Sequence, residues 1–326
     1  MREIQKRGKG NTVITVIMPV YNEGDFIYNN VSKVDQILQD ASIEHSFLLV
    51  DDGSRDHSWQ EMCRLADDKP QVSIIRLSRN FGKEHALCAA LENAAGDAVV
   101  VMDSDLQHPP ELIPEMVRLW QEEGYDVVEG VKADRGNESL GGKIAALTFY
   151  KLFKSTTKLD IDVASDFKLM NRSALDAWKQ MPERNTFFRG LAAWVGFKRY
   201  ALPFEVKPRA GGETKWTLKG LIRLAINSIT SYTAAPLFVV FWLGLIMLIA
   251  GAILGIQTLI TYFTGQAADG FSTVILLQLL IGSGIMISLS IIGLYLAKVY
   301  DEVKGRPRYL IKERKGDAFL PDQKPV

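Results

Sequence analysis

Two uncharged runs limit what this chain can become. From Asn227 to Ala268 there is no Asp, Glu, Lys or Arg, and from Gly270 to Ala297 there is none either. Each run exceeds the roughly 20 residues that cross a bilayer core of about 30 Å. Two membrane-spanning helices are expected, at about 234–263 and 271–297; burial inside a soluble core is the weaker reading at this length. The break between them, Thr264-Gly265-Gln266-Ala267-Ala268-Asp269-Gly270, holds no Lys or Arg. The stretch from Lys298 onward carries Lys298, Lys304, Arg306, Arg308, Lys312, Arg314, Lys315 and Lys324. Cationic flanks stay on the cytoplasmic side, so both termini are expected inside, at the cell (inner) membrane, with a short external hairpin. The 326 residues then divide into a cytosolic domain over 1–210, an interfacial region over 211–233, the helix pair over 234–298 and a basic cytosolic tail over 299–326.

The first 130 residues alternate between strand and helix signals. Val13-Ile14-Thr15-Val16-Ile17-Met18 reads as a strand that ends at Pro19 and the polar cluster Tyr21-Asn22-Glu23. Phe47-Leu48-Leu49-Val50 runs into Asp51-Asp52-Gly53-Ser54, a turn in which Gly supplies a positive φ. Val99-Val100-Val101-Met102 is apolar throughout, as a strand covered on both faces must be, and Pro109-Pro110 then forces the chain out of the sheet. Helices are expected near 24–40, 57–68, 82–94 and 110–123, and further strands near 72–77 and 126–131. This order predicts an α/β fold with a mostly parallel sheet and right-handed crossovers. No Gly-x-Gly-x-x-Gly follows the first strand, and Gly24 alone does not make a dinucleotide site.

Three strand ends therefore carry acidic or amide groups at the carboxyl edge of the sheet, where ligands sit in folds of this type. Asp103 and Asp105 stand one residue apart at the third of them. Either they cap the helix that begins near Pro110, or their mutual repulsion is offset by a cation. Hard cations such as Mg²⁺ or Mn²⁺ take oxygen ligands and leave positions for substrate phosphates. The context of the other two strand ends favours the cation.

With Pro19-Val20-Tyr21-Asn22-Glu23, Asp51-Asp52-Gly53-Ser54 and Asp103-Ser104-Asp105-Leu106-Gln107-His108-Pro109-Pro110, the chain resembles glycosyltransferase family 2, which has the GT-A nucleotide-sugar-binding fold. Its likeness is to the polyprenyl-phosphate branch, carried also by Ser78-Arg79-Asn80-Phe81-Gly82-Lys83, Ser165-Asp166-Phe167-Lys168, Ala193-Trp194-Val195-Gly196-Phe197, Gly212-Glu213-Thr214-Lys215-Trp216 and Arg306-Pro307-Arg308-Tyr309. The resemblance implies that Asp103 and Asp105 hold the metal with Gln107 as a further ligand. It implies that Pro19, Tyr21, Asn22 and Glu23 line the nucleoside pocket, that Asp52 contacts base or ribose with Asp51 in support, and that Ser54, Arg79, Lys83 and Ser104 belong to the nucleotide-sugar site. Two positions depart from the pattern. Ser104 replaces the usual Ala, which is tolerable if only its backbone faces the ion. Lys168 replaces Arg and cannot supply a bidentate fork.

A lipid phosphate acceptor fits what is missing. Sugar transfer to a hydroxyl usually needs a base, whereas a phosphate monoester, with a second pKa of about 6, is largely dianionic already. It needs cationic guidance and an in-line approach. Arg209 and Lys215 are the candidates, with Lys132, Arg135 and Ser165 as helpers, and Asp166 is expected at the reacting sugar as a hydroxyl contact or a base. Residues 139–156 and Trp216 to Ile229 read as basic amphipathic helices, suited to the headgroup level or to packing on the sheet domain. The expected reaction is metal-dependent, inverting transfer of a sugar, by default glucose from a UDP-sugar, to polyprenyl phosphate. A polysaccharide synthase would carry Gln-x-x-Arg-Trp, which Gln180-Met181-Pro182-Glu183-Arg184-Asn185 does not match. An inert nucleotide-binding scaffold would have no need to keep Asp52, Asp103, Asp105 and Asp166 together.

The remaining composition is exclusionary. His45, His57, His85 and His108 form no zinc spacing. Cys63 and Cys88 fall in expected cytosolic helices, where a disulfide is disfavoured. Net charge is zero, which argues against nucleic acid as a partner. The apolar run after Asn11 stops at Pro19, matching a strand better than a secretory signal. A homo-oligomer is compatible with all of this.

Overall fold

The structure is a computed structural model and describes residues 12–132, 166–181, 188, 196–204, 230, 235–264 and 271–316. The chain divides into two compact units, one holding the sheet and the other the two long apolar helices.

Among the described residues the first unit has eight strands: β1 (Ile14–Val20), β2 (His45–Asp51), β3 (Val72–Leu77), β4 (Ala98–Val101), β5 (Val127–Lys132), β6 (Lys168–Asn171), β7 (Arg199–Phe204) and β8 (Ile311–Lys315). They form one sheet in the order β7-β5-β6-β4-β1-β2-β3-β8. The run β4-β1-β2-β3 is parallel throughout, and β5 pairs in parallel with β7. Strand β6 runs antiparallel to β4 and β5, and β8 antiparallel to β3. The helices are α1 (Ile27–Asp40), α2 (Ser58–Asp68), α3 (Lys83–Asn93), α4 (Ile113–Glu123) and α5 (Arg172–Lys179).

Alternation along the strands sends side chains to two faces. Ile14, Val16, Met18 and Val20 of β1, Phe47 and Leu49 of β2, and Ala98 and Val100 of β4 pack with Ile27, Val31, Val34 and Leu38 of α1, and with Trp59, Met62, Met116 and Val117. Helix α3 packs on β1 and β2 and buries Ala86, Leu87, Ala90 and Leu91. With both faces covered, β1, β2 and β4 read as nearly unbroken apolar runs. The chain passes from β3 back across β1 to β4. The carboxyl ends of β1 and β4 therefore adjoin at the point where the strand order reverses, the usual ligand crevice of open α/β sheets.

Three differences from the sequence reading concern the later strands. β6 and β7 complete the sheet beyond β4. The stretch read as a basic tail contributes β8, the edge strand beside β3. Lys168, which stands where the family pattern has Arg, is wholly buried in β6. Its Nζ lies 3.2 Å from Glu129 Oε1 and 4.8 Å from the centre of the Phe188 ring, and Glu129 also pairs with Arg199 at 2.8 Å. Burial pushes the Lys168 ammonium below its ordinary range despite Glu129. It is a core ion pair, so it clamps no phosphate.

In the second unit, α6 (Ala235–Phe263) and α7 (Phe271–Val303) are long continuous helices. Pro236–Thr258 and Leu280–Val303 are long and apolar enough to cross a membrane. The hydroxyls of Thr258, Thr261, Ser288 and Ser290 bond to carbonyls one turn back, so these polar groups are satisfied within the helix, as an apolar medium requires. Gly284 of α7 admits Met247 of α6; a Cβ there would lie 2.3 Å from its terminal methyl. Cys63 and Cys88 are free thiols.

Candidate active site

A cleft of about 260 Å³ opens at the carboxyl edge of the sheet. Its walls come from the end of β1 (Pro19, Val20, Tyr21, Glu23), from Asp52 after β2, from Asn80, Gly82, Lys83 and Ala86 at the start of α3, and from Asp103, Ser104 and Asp105 after β4. Of the residues expected to hold a nucleotide sugar, Pro19, Tyr21, Glu23, Asp52, Lys83, Asp103 and Ser104 line it. Asn22, Asp51, Ser54 and Arg79 are not among its lining residues.

Those four lie at the ends of β1, β2 and β3 or in the loops that follow them. Asn22 adopts φ +55°, a conformation Asn tolerates better than most side chains. Its N–H donates to Ser54 Oγ at 2.9 Å, and its Oδ1 accepts from the Arg55 N–H at 2.9 Å, tying the β1 loop to the β2 loop. Asp51 is buried; its Oδ1 accepts from the Ser54 N–H at 2.9 Å and its Oδ2 pairs with Arg76 at 3.3 Å. The Arg79 guanidinium lies 4.2 Å from the centre of the Phe81 ring. Between the two aspartates' loop and Arg79 stands Gly53, at φ +67°, where a Cβ would come within 2.5 Å of the Arg79 backbone.

Asp52 is fixed by two backbone donors. Phe81 N–H reaches Oδ1 at 2.7 Å and Gly82 N–H reaches Oδ2 at 2.8 Å. Burial nevertheless holds its carboxyl above the usual range, with the two amides opposing. Burial also raises Glu23, helped by the charges of Asp105, Asp56 and Asp103.

The centre of the site is an ammonium shared by two carboxylates. Lys83 Nζ lies 2.6 Å from Asp103 Oδ1 and 2.8 Å from Asp166 Oδ2. Burial alone would lower its pKa, but Asp166 and Asp103 outweigh that and raise it, so Lys83 is charged at neutral pH. Asp105 is exposed and accepts the Gln107 N–H at 3.0 Å; Gln107 enters the loop through its backbone. Leu106 between them sits at φ +54°, a strained conformation for a bulky side chain. Asn30 of α1 donates to the Ser104 carbonyl at 2.7 Å.

The reading by motif gave no role to His108. It is buried, lies parallel to the Phe167 ring at 5.2 Å and meets Phe204 edge-on at 6.2 Å. Burial lowers its pKa, which suits a neutral Nδ1 that accepts the Asp103 N–H at 3.4 Å. The imidazole thus joins the Asp103 loop to the residue that follows Asp166. Periodicity carries no sign of this, because Phe167 and Phe204 arrive from strands far away in sequence. Arg135, Ser165, Arg209 and Lys215, and the amphipathic segments 139–156 and 216–229, lie outside the described residues, as does the side chain of Lys132.

Four carboxylates and one ammonium line the cleft. An anionic diphosphate would be repelled by this lining unless a cation came with it. Among the described residues no three His, Cys, Asp or Glu side chains converge as a ready-made metal cage. Two hard oxygen donors on one loop still fit Mg²⁺ or Mn²⁺, whose sites commonly use one or two carboxylates and take the rest from phosphate and water.

The chain is similar to known proteins over most of its length. The pattern of glycosyl transferase family 2 matches residues 15–178. The uncharacterized glycosyltransferase YkcC of Bacillus subtilis is 37% identical over 93% of this chain and 94% of its own length. A prophage bactoprenol glucosyl transferase homolog of Escherichia coli is 35% identical over 93% of this chain and 99% of its own. Glucosyl-3-phosphoglycerate synthase of Mycobacterium tuberculosis, solved with Mn²⁺, UDP and phosphoglyceric acid, superposes with a TM-score of 0.49 at 18% identity, over 67% of this chain and 76% of that one. Because the family pattern spans half of the chain and relatives 35–37% identical are matched over more than nine-tenths of both lengths, the chain belongs to glycosyl transferase family 2 and is a glycosyltransferase.

Proposed function

We propose that the protein transfers a sugar, glucose in the first instance, from a UDP-sugar to a polyprenyl phosphate at the cytoplasmic face of the membrane, with inversion at the anomeric carbon. The observation that carries this reading is the carboxylate pair Asp103/Asp105 at the strand-order reversal, joined through Lys83 to Asp166. Relatives named bactoprenol glucosyl transferase over nearly their whole length and two helices long enough to cross a bilayer support the lipid acceptor.

In this reading Asp103 and Asp105, with Gln107 nearby, would hold Mg²⁺ or Mn²⁺, which when bound would supply positive charge to offset that of a leaving diphosphate. Tyr21, Glu23 and Asp52 orient the nucleoside. Lys83 keeps Asp103 and Asp166 in register, so that a sugar between them is presented in one orientation. Asp166 contacts a sugar hydroxyl. The acceptor phosphate is anionic on its own and needs no base; Arg209 and Lys215, with Lys132, Arg135 and Ser165, are proposed to guide it. Arg and Lys flanking the helix pair keep the sheet unit and both termini cytoplasmic.

The test is direct. Purified protein with Mn²⁺ or Mg²⁺ and a short-chain polyprenyl phosphate is offered a panel of radiolabelled nucleotide sugars. Label should enter the organic phase from UDP-glucose and require the metal. Label in an aqueous polymer would replace the acceptor assignment, and no transfer from any donor would overturn the reading.

A further inference from the structure

The stretch Arg306-Pro307-Arg308-Tyr309 has no part in the chemistry above, yet it makes some of the most specific side-chain contacts in the sheet unit. Arg308 directs one guanidinium nitrogen to Glu92 Oε1 at 3.1 Å and donates with the other to the Met181 carbonyl at 2.6 Å. Tyr309 donates its hydroxyl to Glu92 Oε2 at 2.5 Å, and Asn93 donates to the same hydroxyl at 3.4 Å. Both carboxylate oxygens of Glu92 are thereby engaged by neighbours in one short segment. Arg308 is largely buried in doing so.

Glu92 and Asn93 are the last residues of α3, and Lys83 is its first. Eleven residues make a rod of about 15 Å, and a helix this short is marginal unless tertiary contacts hold it. The start of α3 has no side-chain cap: it begins at Gly82, with φ +97°, and at its other end the Asn93 amide donates to the Ala89 carbonyl at 2.7 Å before the chain runs into an extended Ala94. Its beginning is held by Asp52, which accepts the Gly82 N–H. Its end is held by Arg308 and Tyr309.

The same segment also grips what precedes α3. Leu310 accepts the Ser78 N–H at 2.9 Å, and β8 pairs Ile311 with Leu77 and Glu313 with Arg76. Glu313 lies 3.6 Å from Arg76, whose guanidinium pairs with Asp51. The loop Ser78–Gly82, which supplies both amides of Asp52, is therefore bracketed by one strap, 308–315, on its strand side and on the far side of its helix. In the chain that strap follows α7 by only a few residues.

We propose that Arg308 and Tyr309 are positioning residues of the transfer reaction, which fix the end of α3 so that Lys83 at its start stays between Asp103 and Asp166. This rests on the reading of Lys83 as part of the donor site. A strap serving stability alone would affect every property of the site equally; a strap that acts through Lys83 has an effect that disappears once Lys83 is gone.

The experiment uses the full-length protein in detergent, with UDP and Mn²⁺ as probe. Arg308→Ala and Tyr309→Phe are each made alone and combined with Lys83→Ala. Amide exchange should accelerate over residues 82–88 and remain unchanged in β1 and α1. UDP binding should weaken about tenfold in Arg308→Ala, and by little or nothing further when Lys83→Ala is already present, the non-additivity expected of coupled sites. Arg308→Lys should restore part of the loss. Tyr309→Phe removes a single hydroxyl and serves if Arg308→Ala does not fold. Unchanged exchange over 82–88 in folded variants, or strictly additive losses with Lys83→Ala, overturns the proposal. If the unaltered protein does not bind UDP, the donor reading fails by itself and the exchange pattern alone decides the strap.

Discussion

The amino and carboxyl edges of the parallel sheet each carry a charged cluster, and the two are treated in opposite ways. Where β2 begins, Asp35 of α1 is buried and surrounded by donors. His45 Nε2 reaches it at 2.8 Å, Gln71 at 3.1 Å, Gln39 at 3.2 Å, and the Lys69 ammonium pairs with it directly. Its oxygens are saturated. At the carboxyl edge, after β4, Asp103 and Asp166 share one ammonium, and exposed Asp105 accepts one amide from its own loop. A carboxylate can accept about four hydrogen bonds, so acceptor capacity is left over at Asp105, in the second cluster. The first arrangement is a scaffold joint; the second has room for a cation and a substrate.

Breaking the second cluster should give the largest effect, and on rate. Asp105→Asn keeps the volume and the loop but halves the charge offered to a cation. Transfer should fall by about 10²–10³-fold, the usual cost of removing one group that stabilises developing charge, while the melting temperature stays close to that of the unaltered protein. Retained turnover would remove Asp105 from the metal site. Breaking the first cluster should do the reverse. Asp35→Ala strands His45, Lys69 and Gln71, and unpairing a buried ion pair costs about 3 kcal/mol or more. Denaturant titration should register that loss, with turnover per folded molecule preserved. A rate defect larger than the loss of folded protein would show that the two ends are not separate.

Much of the second cluster was legible because its residues arrive on consecutive turns. Asp52, Asp103 and Asp105 each follow an apolar strand directly, and parallel topology brings such ends to one edge whatever lies between. The parallel core from β1 to β4 was legible for the same reason, each strand being a short apolar run closed by turn residues. What could not be read depends on long-range pairing. β6, β7 and β8 are short, mixed in polarity and defined by the neighbours they meet; Ile311–Lys315 reads as a charged tail until Ile74–Leu77 supplies its partner. The burial of Lys168 could not be read because its partner, Glu129, lies 39 residues away on β5. Asn22 and Ser54 belong to a matching motif, and the structure adds that the Asn22 N–H donates to Ser54 Oγ while its Oδ1 accepts from the Arg55 N–H, which no pattern of residue types discloses.

A middling effect should come from the joint between Asp103 and Asp166. His108→Phe keeps an aromatic ring against Phe167 and Phe204 but withdraws the acceptor from the Asp103 N–H. Leaving a buried donor unpaired costs about 1–2 kcal/mol, and if it is felt by the loop, turnover falls about tenfold with little change in substrate affinity. His108→Gln, which restores an acceptor, should recover more of the rate than of the packing. Equal turnover in the two variants would mean that the ring matters only as filling.

The smallest effect is also the one that sets the two edges of the sheet directly against each other, through acid. Burial alone would raise the carboxyl of Asp35, but the bonds from Lys69, His45 and Gln71 outweigh it and hold it below the ordinary value of 3.8. A lowered carboxyl contributes stability that is present above the unfolded pKa and lost as pH falls through the folded one. Glu23 has the opposite sign. Burial, then Asp105, Asp56 and Asp103, raise it above 4.5, so its contribution is present below 4.5 and is lost as pH rises through its folded value. Thermal midpoints taken from about pH 3 to about pH 6 should separate the two. Glu23→Gln should remove a fall in stability on the alkaline side of 4.5, and Asp35→Asn should remove a fall on the acid side of 3.8. A cation bound by Asp105 and Asp103 would relieve Glu23 of its nearest repulsions, so Mn²⁺ should flatten the first slope and leave the second untouched. Were Mn²⁺ to alter both slopes alike, the cation would be acting on the protein at large, and the contrast between a saturated end and an open end would lose its meaning.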